Sequence, residues 1–366
     1  MSTNLARHGF EKPTPVQAGA IPPALEGRDL VASAQTGTGK TLAFAIPIIE
    51  RISATEVKSK QPPGVARNRE LRALVLSPTR ELAMQIEETF TKVAAGTGIR
   101  TAVVVGGMNE SKQLRAIQSG AQVAIATPGR LEDFLTRKLV RLGNVETVVL
   151  DEADRMLDMG FLPSIKRILG QLPESRQTML FSATIGKEVE SLIGRYTREA
   201  VRIAIGAAVR PVEAVDLHVY EVESDAKMRL LTRLLDAESG SFLIFARTKH
   251  GTDRLAKRLS SAGVKATRIH GDRTQNQRNQ ALRGFKEGDY RVLVATDVAA
   301  RGIHVDGISH VVNYDLPQAP EDFVHRVGRT ARAGTRGVAS TFATRAERSE
   351  VRRIEKAIGV RLVARD

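Results

Sequence analysis

Asp151, Glu152 and Asp154 stand within four positions of one another, directly after the apolar run Val148, Val149 and Leu150. A surface helix tolerates such a cluster, but a buried strand that ends in it needs a cation to meet. The stretch ASAQTGTGKT at residues 32–41 offers the matching half. A strand-like run empties there into a glycine-rich turn and then into Lys40, Thr41 and an apolar helix, the order a phosphate-binding loop requires. Gly37 and Gly39 let backbone N–H groups turn inward around phosphate oxygens, Lys40 neutralises the β and γ groups, and the Thr41 hydroxyl suits Mg²⁺. Ala34, Gln35, Thr36 and Thr38 complete the loop, with Ala34 at the position where the general pattern opens on glycine. The missing cation is then Mg²⁺, held by Thr41 and, directly or through water, by Asp151, while Glu152 orients and deprotonates an attacking water. An ordinary strand-to-helix turn would account for the loop alone, but not for the carboxylates downstream of it.

Such residues must be delivered by strands ending together. Short β-rich apolar runs alternate with longer helical patterns along the chain, which signals parallel sheets covered by helices on both faces. The runs are DLVASA, ALVLSPT, TAVVVGG, VAIATPG, TVVLDEAD and TMLFSAT in the first half, then SFLIFART, KATRIHGD, RVLVATDVA, SHVVNYDLP and VASTFAT in the second. The expected fold class is therefore α/β with two domains, each a mainly parallel sheet with helices on both faces. Residues 206–216, GAAVRPVEAVD, are small, contain proline and lack periodicity, so a linker is expected there between a domain at 1–205 and another at 217–366. The polar stretch Ser53–Arg72, with Pro62, Pro63 and Gly64, is expected to be an exposed loop of the first domain.

The 366 residues suffice for two domains, each with its own core. Lys and Arg number 55 against 41 Asp and Glu, a net charge of +14, which favours a polyanionic partner, nucleic acid foremost. The absence of cysteine excludes disulfides and thiolate metal sites. The longest apolar run, LAFAIPII at 42–49, is far short of a bilayer span, and MSTNLARHGF contains no apolar secretion segment. A cytoplasmic protein without a membrane contact is expected.

Further motifs give the chain a family resemblance. GFEKPTPVQ (9–17), PTRELA (78–83), the doublet Gly106–Gly107, TPGR (127–130), DEAD (151–154), SAT (182–184), LIFART (243–248), QNQR (275–278), ATDVAARG (295–302) and HRVGRTAR (325–332) follow one another in the order of a DEAD-box ATP-dependent RNA helicase. The chain resembles that family over nearly its whole length, as a minimal core of bacterial type. The resemblance implies two tandem RecA-like domains, ATP and Mg²⁺ as cofactors, and RNA as the partner of a monomer. It implies that Gln17 reads the adenine edge, for which an amide offers both donor and acceptor. Phe10 packs either on the base or in the core. Asp297 is implied to accept from the ribose, and Arg329 and Arg332 to reach the γ-phosphate from the second domain. Together with Lys40 and Glu152 these two arginines make up the implied catalytic set. Asp154, Ser182, Thr184 and His325 are implied to couple the nucleotide to the contact between domains.

RNA contacts are implied for Pro78, Thr79, Arg80, Gly106, Gly107, Thr127, Pro128, Gly129 and Arg130 in the first domain and for Thr248, Arg278 and Thr296 in the second. With 11 Phe, 4 Tyr and no Trp, stacking platforms are scarce, so contacts should fall mainly on the sugar-phosphate backbone with weak sequence preference. Composition does not separate RNA from DNA; the choice of RNA rests on the resemblance. The chain departs from the family pattern at His304, where Asp is usual, and at Ala331, where Gly is usual. Gln17 also lies too near Met1 for the aromatic that relatives carry upstream, and little follows IEKAIG, so a looser adenine grip and no RNA-selecting tail are expected. The implied activity is ATP-driven clamping of RNA, local separation of a short duplex and release after hydrolysis. An RNA-dependent ATPase that remodels or clamps complexes without unwinding, and a non-catalytic RNA-binding switch, are the alternatives.

Overall fold

The computed structural model describes residues 2–34, 38–58, 70–204, 215–300, 308–331 and 336–365. The chain divides into two compact units, Met1–Gly206 and Ala207–Asp366, each built on a seven-stranded sheet. In the first, β1 (Leu30–Ser33), β2 (Ala73–Leu76), β3 (Thr101–Val104), β4 (Val123–Ala126), β5 (Thr147–Leu150), β6 (Gln177–Ser182) and β7 (Val201–Ala204) lie in the order β3-β4-β2-β5-β6-β1-β7. Every pairing is parallel. All residues of β2, β4, β5 and β6 are buried, because helices cover both faces and leave such strands no solvent side. Successive side chains alternate between two cores: Leu74, Leu76, Val148 and Leu150 enter one, while Ala73, Val75 and Val149 enter the other.

The second unit repeats the plan with β8 (Val215–Glu221), β9 (Phe242–Phe245), β10 (Ala266–Ile269), β11 (Val292–Ala295), β12 (His310–Asn313), β13 (Gly337–Ala343) and β14 (Val363–Arg365), in the order β10-β11-β9-β12-β13-β8-β14. Leu243, Phe245, Leu293 and Ala295 pack on one face of this sheet and Phe242, Ile244, Val292 and Val294 on the other. Among the described residues no helix is long and apolar enough to cross a membrane.

Three expectations need correction. The stretch Ser53–Arg72 is not a loop from its start, because the helix Lys40–Lys58 runs on through Ser53–Lys58. Ala, Glu and Lys continue it, the Thr55 hydroxyl donates to the Arg51 carbonyl at 3.0 Å, and Leu71 at the far end is buried ahead of β2. Residues 59–69 lie outside the described residues. Of the expected linker 206–216, residues 206–214 also lie outside them, while Val215 and Asp216 already pair with Gly337 and Val338 as the start of β8. The sequence also continues past its last helix, Arg348–Ile358, into an edge strand, β14, on β8.

Candidate active site

The loops of the first sheet's carboxyl-terminal edge divide by strand. β1, β6 and β5 are neighbours, so the phosphate-loop sequence, SAT and DEAD leave the sheet side by side. β2, β4 and β3 are the next neighbours and end in PTR, TPGR and the glycine doublet. Parallel strands place all their outgoing loops at one edge, where open α/β sheets take ligands.

After β1, Gln35, Thr36 and Gly37 lie outside the described residues. Lys40 is buried; its Nζ donates to the Ala34 carbonyl at 3.0 Å and stands 4.0 Å from Asp151 Oδ1. The Ala34 N–H in turn donates to the Ser182 carbonyl at 3.0 Å, tying the loop's start to SAT. Thr41 opens the helix one residue on, partly exposed. Gly39 has φ +86°, and a Cβ there would fall 2.4 Å from Gln17 Nε2. Only glycine fits that turn.

Gln17 holds the loop from outside. Its Nε2 donates to the Gly39 carbonyl at 3.0 Å, its Oε1 accepts from the Thr14 N–H at 3.0 Å, and the Thr14 hydroxyl donates to the Thr38 carbonyl at 2.7 Å. The side chain implied to read a base is therefore, within the protein, a strap between the helix Pro15–Leu25 and the loop. Phe10 is 41% exposed, which rules out the core alternative for it.

At the end of β5, Asp151 is 2% exposed, and Oδ1 accepts from the Glu152 N–H at 3.1 Å. Burial pushes the Asp151 carboxyl up to about 6; Lys40 pulls against this, while Glu152 and Asp154 push the same way. Glu152 takes a left-handed backbone, φ +52°, unusual for a side chain with a Cβ. Its Oε2 accepts from Arg155 Nη1 at 2.6 Å, with both side chains 6% exposed. Asp154 Oδ2 accepts from the Thr184 N–H at 2.8 Å and its hydroxyl at 2.9 Å, the Asp154 N–H donates to Ser182 Oγ at 3.2 Å, and Ser182 Oγ donates to the Thr184 carbonyl at 2.7 Å. DEAD and SAT are thereby one hydrogen-bonded unit.

Among the described residues no three ligating side chains cluster as a protein-only metal site. Mg²⁺ typically takes one or two carboxylates and completes its shell with water and substrate phosphate, so buried Asp151 near Lys40, with Thr41 adjoining, fits it in that manner.

On the neighbouring loops, Thr79 caps the helix Arg80–Val93, its Oγ1 accepting from the Leu82 N–H at 3.3 Å, with Pro78 buried just before it. Arg80 lies across Gly106–Gly107; a Cβ on Gly107, φ +74°, would meet its guanidinium carbon at 2.7 Å. Thr127 and Pro128 start the helix Pro128–Thr136, and Gly129 leaves open space beside it. Arg130 is paired at 3.1 Å with both Glu110 and Asp133, so its charge is largely answered within the protein.

In the second unit, Thr248 caps the helix Lys249–Ser261 after β9, accepting from the Gly251 N–H at 3.0 Å. Arg278 sits in the first turns of the helix Gln275–Lys286, and Thr296 follows β11. Asp297 accepts from Arg326 Nε at 2.6 Å and Nη2 at 2.7 Å, and Arg326 Nη1 continues to Asn313 Oδ1 at 3.1 Å and the Asp315 carbonyl at 2.7 Å. Asp297, His325, Arg326 and Arg329 line one small depression, and Arg329 Nε donates to the His325 carbonyl at 3.2 Å. Arg332 and His304 lie outside the described residues. Sequence reasoning assigned nothing to Arg155, Thr14 or Arg326. The signal for Arg326 was present, since 326, 329 and 332 form one helical spacing of arginines.

A buried lysine and carboxylate cluster at the switch from β1 to its neighbours defines a P-loop nucleotide site on a RecA-like sheet. Comparison with known proteins agrees. Residues 14–192 match the family model for the DEAD/DEAH box helicase and residues 226–334 that for the helicase conserved C-terminal domain. The chain is 43% identical to the DEAD-box ATP-dependent RNA helicase CshA of Geobacillus kaustophilus over 96% of this chain and 73% of that protein. It is 44% identical to CshA of Bacillus subtilis over 96% of this chain and 69% of that protein. Among solved structures it is similar to Saccharomyces cerevisiae Dbp5 bound to RNA and ADP BeF3, with TM-score 0.85, 31% identity, and coverage of 99% of this chain and 92% of that one. Mss116p bound to single-stranded RNA and AMP-PNP is similar at TM-score 0.86, 29% identity, and coverage of 99% and 76%. The chain belongs to the DEAD-box ATP-dependent RNA helicases.

Proposed function

We propose that the chain clamps RNA through ATP-driven closure of its two units, separates a short duplex locally and releases the strand after hydrolysis. One observation carries this reading: a single sheet edge holds the buried Lys40, Asp151 and Glu152 on β1 and β5 and the PTR, glycine-doublet and TPGR loops on β2, β3 and β4. Nucleotide and strand would thus share one rigid support, with the Asp154–Thr184 and Ser182 hydrogen bonds lying between them.

In this reading Lys40 binds the β- and γ-phosphates, Thr41 and Asp151 hold Mg²⁺, and Gln17 and Phe10 face adenine. Bound Mg²⁺ supplies positive charge against the phosphate oxygens. Glu152 orients the attacking water and takes its proton. Asp297 of the second unit accepts from the ribose, and Arg329 and Arg332 stabilise charge on the γ-phosphate. Arg80, Arg130 and Arg278, with the small residues of their loops, follow the RNA backbone and read little of its sequence.

The test measures ATP hydrolysis with and without single-stranded RNA, single-stranded DNA of equal length and a short RNA duplex. RNA should stimulate strongly and DNA poorly, through contacts to the 2′-OH, and the duplex should open only with ATP. Equal stimulation by DNA would replace this reading with a general nucleic-acid translocase, and stimulation without strand separation would leave an RNA clamp.

A further inference from the structure

The second unit carries a basic groove that none of the motifs accounts for. It occupies about 670 Å³ between the helix Lys249–Ser261 and the edge strand β10. His250, Arg254 and Lys257 recur at helical spacing along its wall, so successive turns, about 5.4 Å apart, each present a cationic or ionisable side chain to it. Arg268 of β10 and Arg273, just ahead of the helix Gln275–Lys286, supply the opposite wall.

The charges are unbalanced. Asp253 is the groove's one lining carboxylate, and it is already engaged: it accepts from Arg268 Nε and has His270 Nε2 at 3.2 Å. Among the described residues no carboxylate lies within ion-pair distance of Arg254, Lys257 or Arg273. Arg273 also buries its Nε against the groove without a hydrogen-bond partner among those residues. A buried guanidinium N–H left open is costly unless a ligand accepts from it.

Position identifies the ligand class. Lys249 Nζ bonds Asp272 Oδ1 at 2.5 Å, so the start of the helix carrying Thr248 adjoins the turn that leads into Arg278. The groove begins at those two loop ends and descends the outer edge of the sheet. Among the described residues that line it, His250 carries the one ring and none is a large aliphatic, so it offers little to enter a lipid layer, while its guanidinium and ammonium donors suit phosphate.

We infer that this groove binds the sugar-phosphate backbone of single-stranded RNA running past the strand segment held at Thr248 and Arg278. The inference rests on the RNA-binding reading above and adds to it a length-dependent term of affinity, independent of base sequence. An oligomer confined to the loop ends would gain nothing from the groove, whereas a longer one would.

The experiment compares uridine oligomers of about eight and about thirty nucleotides, lengths on either side of an ordinary single-strand site, on the full chain and on Arg254→Gln/Lys257→Gln. Both positions are exposed on a helix surface, so folding should persist, and thermal unfolding checks it. The short oligomer should bind both proteins equally and stimulate hydrolysis equally. The long oligomer should bind the wild type more tightly, and the double variant should lose about tenfold of that affinity with a salt slope shallower by about 1.4, two phosphate contacts at roughly 0.7 each. Because the chain lacks cysteine, Ser260→Cys with a photoreactive label reports position at a single site. It should crosslink to the long oligomer only. Equal long-oligomer affinity in both proteins, or lost affinity without a crosslink, would overturn the groove assignment. Failure of the short oligomer to stimulate the wild type would instead overturn the RNA-dependent reading itself.

Discussion

Arg155 Nη1 lies 2.6 Å from Glu152 Oε2, and both side chains are 6% exposed. The residue proposed to take the water's proton is therefore held by a cation three positions along its own chain. Glu152→Gln keeps the shape and removes the basic oxygen, so Mg-ATP binding should stay near wild type while hydrolysis disappears. Arg155→Leu should act differently: it strands a buried carboxylate and should cost the first unit about 3–5 kcal/mol, with partial recovery in Arg155→Lys. Calorimetry with nucleotide and single-turnover assays separate the two. Hydrolysis within a few-fold of wild type in Glu152→Gln would remove Glu152 from its assigned role.

The Gln17 strap makes a second prediction. Gln17→Ala removes the bonds to Gly39 and Thr14 at once and should weaken ATP and ADP binding alike by about tenfold, since each lost bond is worth on the order of 1 kcal/mol. A residue that only read adenine would leave the loop intact and change the preference for ATP over GTP. Unaltered ADP affinity in Gln17→Ala would show that the strap is dispensable.

Much of this was legible in the residues. Buried parallel strands have no solvent face, so β2, β4, β9 and β11 read as unbroken apolar runs and β5 and β6 as runs with an apolar centre, and the motifs sit where those runs end. What stayed hidden depends on partners or backbone turns that local pattern does not record. Gln17 meets Gly39 across 22 positions and Arg326 meets Asp297 across 29. Glu152 pairs with Arg155 from a left-handed backbone position just ahead of the helix that carries Arg155. β14 is three exposed residues on an edge, too short for an alternating pattern.

Ala331 has φ +54°, the conformation that makes Gly the usual residue of its motif. A Cβ there costs about 1 kcal/mol, and glycine returns that at an unfolded-state entropy loss of about half as much. Ala331→Gly should thus stabilise the second unit by about 0.5 kcal/mol. A lower unfolding midpoint in the variant would contradict the assignment of strain.

His310 supplies a pH dependence. Its Nε2 is 2.9 Å from Ser340 Oγ and its ring stacks on Phe242, and burial, aided by His218, lowers it from 6.5 to about 4. The folded state therefore refuses a proton that the unfolded chain accepts. The stability is fully present above pH 6.5 and is lost as the pH falls towards 4, by up to about 3 kcal/mol. His310→Gln keeps a hydrogen-bonding group without titrating. Unfolding midpoints measured across that window should fall more steeply in wild type than in the variant; parallel curves would exclude His310 as the cause.

The last prediction concerns Arg329, which lies in the second unit beside His325 and Asp297, whereas Lys40, Asp151 and Glu152 belong to the first. If its charge completes the γ-phosphate site, Arg329→Ala should bind Mg-ATP within about tenfold of wild type and lose hydrolysis by about 10³-fold, the scale of an arginine finger. Arg329→Lys should recover little, because a compact ammonium does not reproduce the planar two-pronged contact. Arg329 is 3% exposed, so a structural role is the rival. That rival predicts a lower unfolding midpoint with normal single-turnover hydrolysis below it. Saturating RNA, a temperature well under the midpoint and a rapid-quench assay decide between them. Undiminished RNA-stimulated turnover in Arg329→Ala would detach the second unit from the chemical step and with it the need for closure.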